Sequence, residues 1–563
     1  MAATRDAGFL DDRRLLLGPW QAFERDTARL FLANGFDDVR LIGGPGEQGA
    51  DVLCVRDSKL WVVQCKWTGQ YGPPKTAIDQ IVRAGRAYEA GHLVVAVSRH
   101  PKESFRQERA RYQRRGLRID VATPTDLRGL LIRTPEYPPS RRLLRDYQDD
   151  ASTRLREALI DTGRGQVVMA TGLGKTVVMA ELVADLLRDD RIPARQVLVL
   201  AHTRALVDQL HQSFWHQLPK WIPTHQLAGN EMPTYWEGIT FATIQRAATC
   251  VDDLPAFGLV LVDEAHHIGA ATFRSVIDAL QPSMLGGVTA TPWRGDGFEI
   301  DSLLGPPLVQ IGIAEGLRRG FLSEVDYRMF GDNLDWTLVQ RMSRYNYSLS
   351  QLNKKLILPT RDAEAAQIIR DAFASEGRRN AIVYSPSIEH ANAFAASLRQ
   401  YGLRAEAVSS RMTARDRDAL MASFRAGRLD VVTTVDLFNE GVDVPDVDLI
   451  VFMRVTHSRR IFVQQLGRGL RVSPGKDRVI VLDFVSDLRR IAEVVRLDRD
   501  VRQGDVEQLG LGGHLVQFSD KSAGDFLVEW TLDQADLFSR EGESHLDMPQ
   551  FQFPAPKGPG SVQ

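Results

Sequence analysis

The sequence predicts an α/β protein in three parts: a small α/β domain, then two lobes of similar size, each built on a parallel sheet. Three observations carry this. Apolar runs of strand length alternate with helical stretches through two separate regions, a pattern that calls for parallel sheets covered on both faces. One of those strands runs into a glycine-rich turn that opens a helix. Finally, Pro135, Pro138 and Pro139 stand within five positions and divide the first part from the rest, because proline fixes the backbone and forbids helix.

Bulk properties agree. At 563 residues the chain is too long for one hydrophobic core. Hydrophobic residues make up 44% and charged residues 25%, an ordinary globular balance, and no apolar run approaches the ~20 residues that cross a bilayer. No membrane partner is expected. Met1 to Arg14 lacks the apolar stretch of a secretory signal, which predicts a cytoplasmic protein. Cys54, Cys65 and Cys250 share no zinc-ligand spacing and form no even set for disulfides, as in a reducing compartment. With 70 basic against 72 acidic side chains, any nucleic-acid binding must be local. The densest basic stretch, Arg99 to Arg118, reads either as such a surface or as a solvated helix face.

In chain order, a leader over 1–18 precedes a domain over 19–133. Apolar residues recur at helical spacing from Trp20 to Leu32, and Asn34-Gly35 stops that helix. Gly43-Gly44-Pro45-Gly46 predicts a turn. Leu60 to Lys66 and Leu93 to Val97 read as buried strands, with a helix over Ala77 to Glu89 between them. The linker covers 134–140. A first lobe over 141–315 has strands at Gln166 to Met169, Val197 to Leu200 and Leu259 to Val262. A polar segment, 316–360, separates it from a second lobe over 361–500 with strands at Ala381 to Tyr384, Val431 to Thr434, Leu449 to Phe452 and Val479 to Leu482. The extension 501–563 is expected to be partly disordered, most of all its Pro/Gly-rich end, 553–563.

The strand Val167 to Met169 enters Ala170-Thr171-Gly172-Leu173-Gly174-Lys175-Thr176 and then a helix. This is the context of a phosphate-binding loop. Gly172 and Gly174 let backbone N–H groups approach phosphates, Lys175 meets their charge, Thr176 can ligate Mg²⁺, and the helix N-terminus adds its dipole. The strict pattern has glycine where Met169 stands. A second element supports the assignment: the strand Leu259 to Val262 delivers Asp263-Glu264-Ala265-His266 at its carboxyl end, where Asp263 is suited to hold the metal and Glu264 to deprotonate an attacking water.

With both elements in place, 141–488 resembles the superfamily-two helicases of the DEAH-box group, which implies two RecA-like lobes and the cofactors ATP and Mg²⁺. Arg145-Asp146-Tyr147-Gln148 looks like the adenine-reading element, with Gln148 as reader. Thr203-Arg204 and Thr243-Ile244-Gln245 look like strand-contacting motifs, and Thr289-Ala290-Thr291-Pro292 like the motif that couples hydrolysis to movement. Arg294-Gly295-Asp296 is similar to a DNA-contacting tripeptide of the repair and restriction branch. Asn439 to Pro445, with Gly441 and Asp443, and Gln464 to Arg471 look like the last two motifs. The resemblance implies that Arg468 and Arg471 stabilise charge on the γ-phosphate, a role suited to a permanently charged donor fork.

In the front domain, Asp51 lies at the start of one strand and Gln64-Cys65-Lys66 on the next. Period-two alternation places Gln64 and Lys66 on one face, opposite Val63 and Cys65. Asp51 and Gln64 would hold Mg²⁺, and Lys66 would orient water or stabilise the pentavalent phosphate of a phosphodiester. Residues Trp20 to Leu131 resemble the Mrr-like restriction endonuclease domain, a branch of the PD-(D/E)xK nucleases with Gln in place of an acid. The resemblance implies that Glu24, in Phe23-Glu24, is an auxiliary acid. A solvated Lys66, and a domain that grips DNA without cutting it, remain open alternatives.

His202, His225, His266 and His267 share no ligand spacing, and no zinc is assigned. Trp215, Trp221, Tyr235 and Trp236 are read as core packing before base stacking. The polar insert 336–355 is open between nucleic-acid contact and a brace between lobes. Together these features predict an ATP-dependent helicase or translocase on duplex or single-stranded DNA with an Mg²⁺-dependent endonuclease, in restriction or defence alongside methyltransferase or specificity subunits. The alternatives are a remodelling protein whose front domain binds modified or damaged DNA, and an RNA helicase.

Overall fold

A computed structural model describes residues 8–42, 49–69, 71–268, 271–290, 300–329, 346–348, 362–377, 380–435, 447–453, 469–470, 472, 476, 478–484, 516–518 and 545–547. The expected turn at 43–46 and the expected disordered end, 553–563, lie outside these residues. The chain divides into two compact units: 1–169 with 174–310, and 170–173 with 311–563.

The first unit opens with helix α1 (Asp12–Leu17), within what reads as a leader; Phe9, Leu10 and Leu15 are buried there. The front sheet has the order β1 (Asp37–Leu41), β2 (Val52–Arg56), β3 (Lys59–Lys66), β4 (His92–Val97), β5 (Ile119–Ala122). β1, β2 and β3 are antiparallel neighbours, and β3, β4 and β5 run parallel. Alternation along β3 sends Val63 and Cys65 to the layer of α2 (Trp20–Ala33), where Phe23, Leu30 and Phe31 cover them. Val62, one register position away, faces the layer of α3 (Thr76–Ala87) and α4 (Glu103–Gln113), beside Ile78, Ile81 and Phe105. The predicted helices and strands of this domain form within a few residues of their expected ends. Helix α5 (Pro124–Arg133) closes it with a Thr123–Asp126 capping box.

Helix α6 (Asp146–Asp161) leads into the first lobe, whose strands are β6 (Arg164–Met169), β7 (Gln196–Ala201), β8 (Thr224–Leu227), β9 (Gly238–Thr243), β10 (Leu259–Asp263), β11 (Met284–Thr289) and β12 (Val309–Ile311). Their order is β12-β6-β11-β10-β7-β9-β8. The described pairings from β6 to β8 are all parallel, so the carboxyl ends of β6, β7, β9, β10 and β11 share one edge, where open α/β sheets bind ligands. Helices α7 (Lys175–Arg188) and α8 (Arg204–Trp215) start from that edge.

In the second unit a seven-stranded sheet contains Ala405–Val408, Val431–Thr434, Ala381–Tyr384, Leu449–Phe452, Arg478–Asp483, Glu324–Met329 and Val516–Phe518, in that order. Its described pairings are parallel, as the sequence alternation requires. The buried Tyr327 hydroxyl donates to Asp483 at 2.5 Å and ties two of these strands together. Asn346–Ser348, inside the polar insert, pairs antiparallel with His545–Asp547.

Candidate functional site

The loop after β6 turns tightly at Gly172 and Gly174, whose φ values of +93° and +85° belong to the region that disfavours other residues. A Cβ at Gly174 would also lie 2.4 Å from Gln148 Nε2, so glycine is required twice over and the expected adenine reader abuts the loop. Gln148 is buried, and its Oε1 accepts from the Arg145 N–H at 3.0 Å. The Thr171 hydroxyl is buried without a hydrogen-bond partner, a donor that a ligand oxygen would satisfy. Thr176 is the second residue of α7, directly after Lys175.

Asp263 ends β10 and is buried. Glu264 follows in a left-handed conformation, φ +50°, a cost of about 1 kcal/mol for a non-glycine residue that turns its side chain toward the loop. Its Oε1 lies 3.9 Å from Lys175 Nζ, and Nζ is 3.4 Å from the Met169 carbonyl. His266 Nδ1 is 3.3 Å from the other Glu264 oxygen and 2.9 Å from the Thr289 hydroxyl at the end of β11. Burial pushes the Glu264 carboxyl up, but the Lys175 ammonium, His266 and the Ala290 N–H outweigh it and hold the group at about 2. The acid is therefore a permanent carboxylate at neutral pH, paired with the cation that would meet phosphate. His266, Thr289 and Ala290 are the second layer of this site; their acid-stabilising contacts cross from β10 to β11 and leave no trace in spacing.

Thr203 and Thr243 cap the helices after β7 and β9, their hydroxyls accepting from Leu206 and Arg246 N–H groups. Arg204 Nη2 bonds Gln226 at 3.1 Å and Arg204 Nε lies 3.1 Å from Asp208. Thr291, Pro292, Arg294-Gly295-Asp296, Gly441, Asp443, Arg468 and Arg471 fall outside the described residues.

In the front domain, the antiparallel register that pairs Val52 with Val63 places Asp51 across from Gln64. The Asp51 N–H donates to the Val63 carbonyl at 2.9 Å, and Asp51 Oδ2 accepts from the Cys65 N–H at 2.6 Å. Burial raises the Asp51 carboxyl, with Cys65 N–H and Lys66 pulling the other way. Gln64 is fully buried; its amide N–H donates to Gln80 Oε1 on α3 at 2.7 Å, while its Oε1 has no partner. An orphaned amide oxygen opposite a desolvated carboxylate suits a cation, which would satisfy both. Gly49 packs directly against this pair: a Cβ there would sit 2.6 Å from Gln80 Cβ and 3.1 Å from Gln64 Nε2. Gln80 was not among the expected site residues, although a polar side chain on the apolar stripe Ala77, Ile81, Ala84 marks it. Lys66 is half-buried at the end of β3. Glu24 lies on α2, on the side of Cys65, whose thiol is raised by burial and then by Asp51 and Glu24. Among the described residues no group of three or more His, Cys, Asp or Glu surrounds a cation position; the front set is a carboxylate, an amide and an ammonium.

Trp215 is buried against the front-domain core and Trp236 packs on the first lobe's core. Arginines of α4 make local bonds, Arg109 to the Ile119 carbonyl and Arg111 to Glu108.

The fold sets two parallel-sheet regions behind a smaller mixed-sheet domain, with one polar cluster on the first parallel sheet and one in the front domain. Residues 18–125 match the restriction endonuclease family of Mrr catalytic type, 142–294 the res subunit of type III restriction enzymes, and 364–473 the helicase conserved C-terminal domain. The chain thus joins an Mrr-type restriction endonuclease domain to the two motor domains of a superfamily-two helicase. It is 28% identical over 327 residues to a 51.5 kDa protein of a Lactococcus phage, covering 55% of this chain and 63% of that one. To the DNA 3'-5' translocase XPB2 of Sulfurisphaera tokodaii it is 25% identical, covering 58% and 78%, and to the type I restriction enzyme EcoKI endonuclease subunit of Escherichia coli 23%, covering 59% and 33%. The first three curated relatives are spanned over only 52% to 63% of their length. A DNA-bound structure of the ATP-dependent type ISP restriction-modification enzyme LlaBIII shares the fold, with a TM-score of 0.54 at 15% identity over 92% of this chain and 42% of that one. Such domains imply a bound nucleotide and, for the nuclease, a divalent metal. No helix among the described residues is long and apolar enough to cross a membrane.

Proposed function

We propose that this chain is an ATP-driven DNA helicase or translocase whose front domain cuts DNA with bound Mg²⁺, in restriction or defence against foreign DNA. The observation that carries it is that one compact unit holds both a Lys175–Glu264 pair behind a phosphate-binding loop and a buried, unpartnered Gln64 oxygen across from Asp51. In the motor, Lys175 leaves Glu264 for the nucleotide phosphates, and Glu264, freed as a carboxylate, takes the proton of the attacking water. Thr176 and Asp263 would hold Mg²⁺ there; Arg468 and Arg471 are assigned to the γ-phosphate by their motif.

In the front domain, Asp51 and Gln64 would hold Mg²⁺, which when bound lowers the pKa of coordinated water and neutralises phosphate charge. Gln80 fixes which way the Gln64 amide points, and Lys66 orients the water or meets the charge of the phosphorane. Glu24 is assigned as auxiliary acid on the family resemblance. A methyltransferase or specificity subunit that marks self DNA is the expected partner.

The test is ATP hydrolysis with duplex DNA, single-stranded DNA and RNA, each reaction also scored for Mg²⁺-dependent cleavage. Stimulation by DNA together with cleavage is the expected result. Stimulation by DNA with no cleavage under any divalent metal would make the front domain a binding module, and stimulation by RNA alone would sink the DNA assignment.

A further inference from the structure

Helix α2 has two buried faces. Phe23, Leu30 and Phe31 cover the front sheet, while Arg25, Asp26 and Arg29 turn to the first motor lobe and are 7%, 1% and 2% exposed. Arg25 forms a two-nitrogen pair with Glu231, whose second contact is 3.0 Å. Arg29 donates to the carbonyls of Ile222 at 2.7 Å and Pro219 at 3.1 Å, with its guanidinium over the Phe9 ring. Arg14, wholly buried, pairs with Asp26 at 2.5 Å and reaches the Thr224 carbonyl at 2.9 Å and His225 Nδ1 at 3.1 Å. From the other side, Lys220 Nζ donates to the carbonyls of Leu131, Ile132 and Thr134, while its backbone bonds Glu136 and Phe9. Trp215 completes the front core.

A domain carried on a tether keeps its charged residues in water, since a buried charge without a partner is severely destabilising. Here three arginines and an aspartate are buried: Asp26 is paired locally with Arg14, while the arginines reach Glu231, His225 and the carbonyls of Pro219, Ile222 and Thr224 some 200 residues along the chain. The contact also bypasses the proline-rich stretch, whose own residue Glu136 is held by Lys220.

We propose that the segment Trp215 to Glu237 of the motor is a structural part of the nuclease, holding the helix that carries Glu24 so that cutting occurs at a fixed position on the moving motor. Arg14, Arg25, Arg29 and Glu231 are positioning residues. This rests on the nuclease reading above.

The experiment compares the full chain, Glu231→Arg, and a variant with ten glycine and serine residues inserted after Pro139. Cut positions are mapped on linear duplex DNA bearing a roadblock that stops the motor, and hydrogen exchange is followed across Trp20–Ala33. The insertion is expected to leave both readouts as in wild type. Glu231→Arg is expected to speed exchange in α2 by about a hundredfold or more, the scale of a broken buried pair, with the first-lobe strands still protected, and to scatter or abolish the cuts. Cuts that spread, or α2 exchange that rises, on lengthening the linker would overturn the proposal, as would Glu231→Arg with wild-type exchange. If no variant cuts DNA, the nuclease reading has failed and exchange in the insertion variant alone decides the docking.

Discussion

Replacing Glu264 with Gln is expected to lower ATP turnover by roughly 10²- to 10⁴-fold while ATP binding stays near wild type, because it removes the proton acceptor and little else. Gln keeps the shape and can still bond His266 and the Ala290 N–H, but it cannot take a proton. Lys175→Ala should behave differently. It removes the charge that meets the phosphates and leaves the buried Glu264 carboxylate without its cation, held only by His266 and the Ala290 N–H, so both nucleotide affinity and turnover fall. Steady-state hydrolysis beside nucleotide titration separates the two. A Glu264→Gln enzyme within about tenfold of wild type would remove Glu264 from the base role, since a general base supplies at least about 10².

Lys66→Ala is expected to cut DNA cleavage by roughly 10²- to 10³-fold and leave DNA-stimulated ATP hydrolysis unchanged, the scale set by loss of one charge aimed at a transition state. The direction of the Asp51 shift strengthens the effect. Burial already raises that carboxyl and Lys66 opposes the rise, so without Lys66 the protonated form gains and a divalent cation must compete harder. Nicking of supercoiled DNA across a metal titration reads both effects. Cleavage by Lys66→Ala at the wild-type rate would show that the lysine is only a solvated strand end.

Acid should loosen the contact between the front domain and the first lobe. His211 and His225 are fully buried there and burial, followed by the surrounding arginines, pulls both well below the usual histidine range. Their facing groups are Arg13, Arg14, Arg25, Arg29, Asp26, Tyr235 and the Glu237 carbonyl. Neutral when folded, both side chains take up protons on unfolding, so stability falls as pH drops below the ordinary histidine value, by about 1.4 kcal/mol per pH unit for each. Asp26, raised by burial, acts in the opposite sense, with a window that opens from the carboxylate range. The loss of melting temperature between pH 7 and pH 5.5 should therefore shrink in His225→Asn, which does not titrate; an equal loss in both proteins would refute the assignment.

How much of this was legible without coordinates follows from the range of each interaction. Alternation placed Val63 and Cys65 on one face and the site side chains on the other because a strand's period is a local property. The strand Ala381–Tyr384 was likewise readable to the residue, being an apolar run buried on both faces. Gly172 and Gly174 announced their turn through conformations that other residues resist. Gln80, by contrast, meets Gln64 only because α3 lies across β3, and Thr289 meets His266 only because β11 lies beside β10.

The stretch before Trp20 shows the same limit. Read as a leader over 1–18, it contains Phe9, Leu10 and Arg14, which are buried, and Arg14 reaches a strand more than two hundred residues away. A run mixing Asp, Arg and Leu carries no sign of where its partners are, since a charge is buried only once an opposite charge and free carbonyls have been brought to it by the fold. By itself, then, the sequence determined the α/β architecture, the glycine turn between a strand and a helix, Asp263-Glu264 at the end of a strand, and the placement of Asp51, Gln64 and Lys66 on neighbouring strands, all of which depend on periodicity and short-range chemistry. Only the tertiary structure decided that Glu264 pairs with Lys175, that the Gln64 amide donates to Gln80, and that the front domain is held to the first lobe by the buried Arg25–Glu231 pair and by arginines on backbone carbonyls. Each of those depends on residues far apart in the chain meeting across a packed interface.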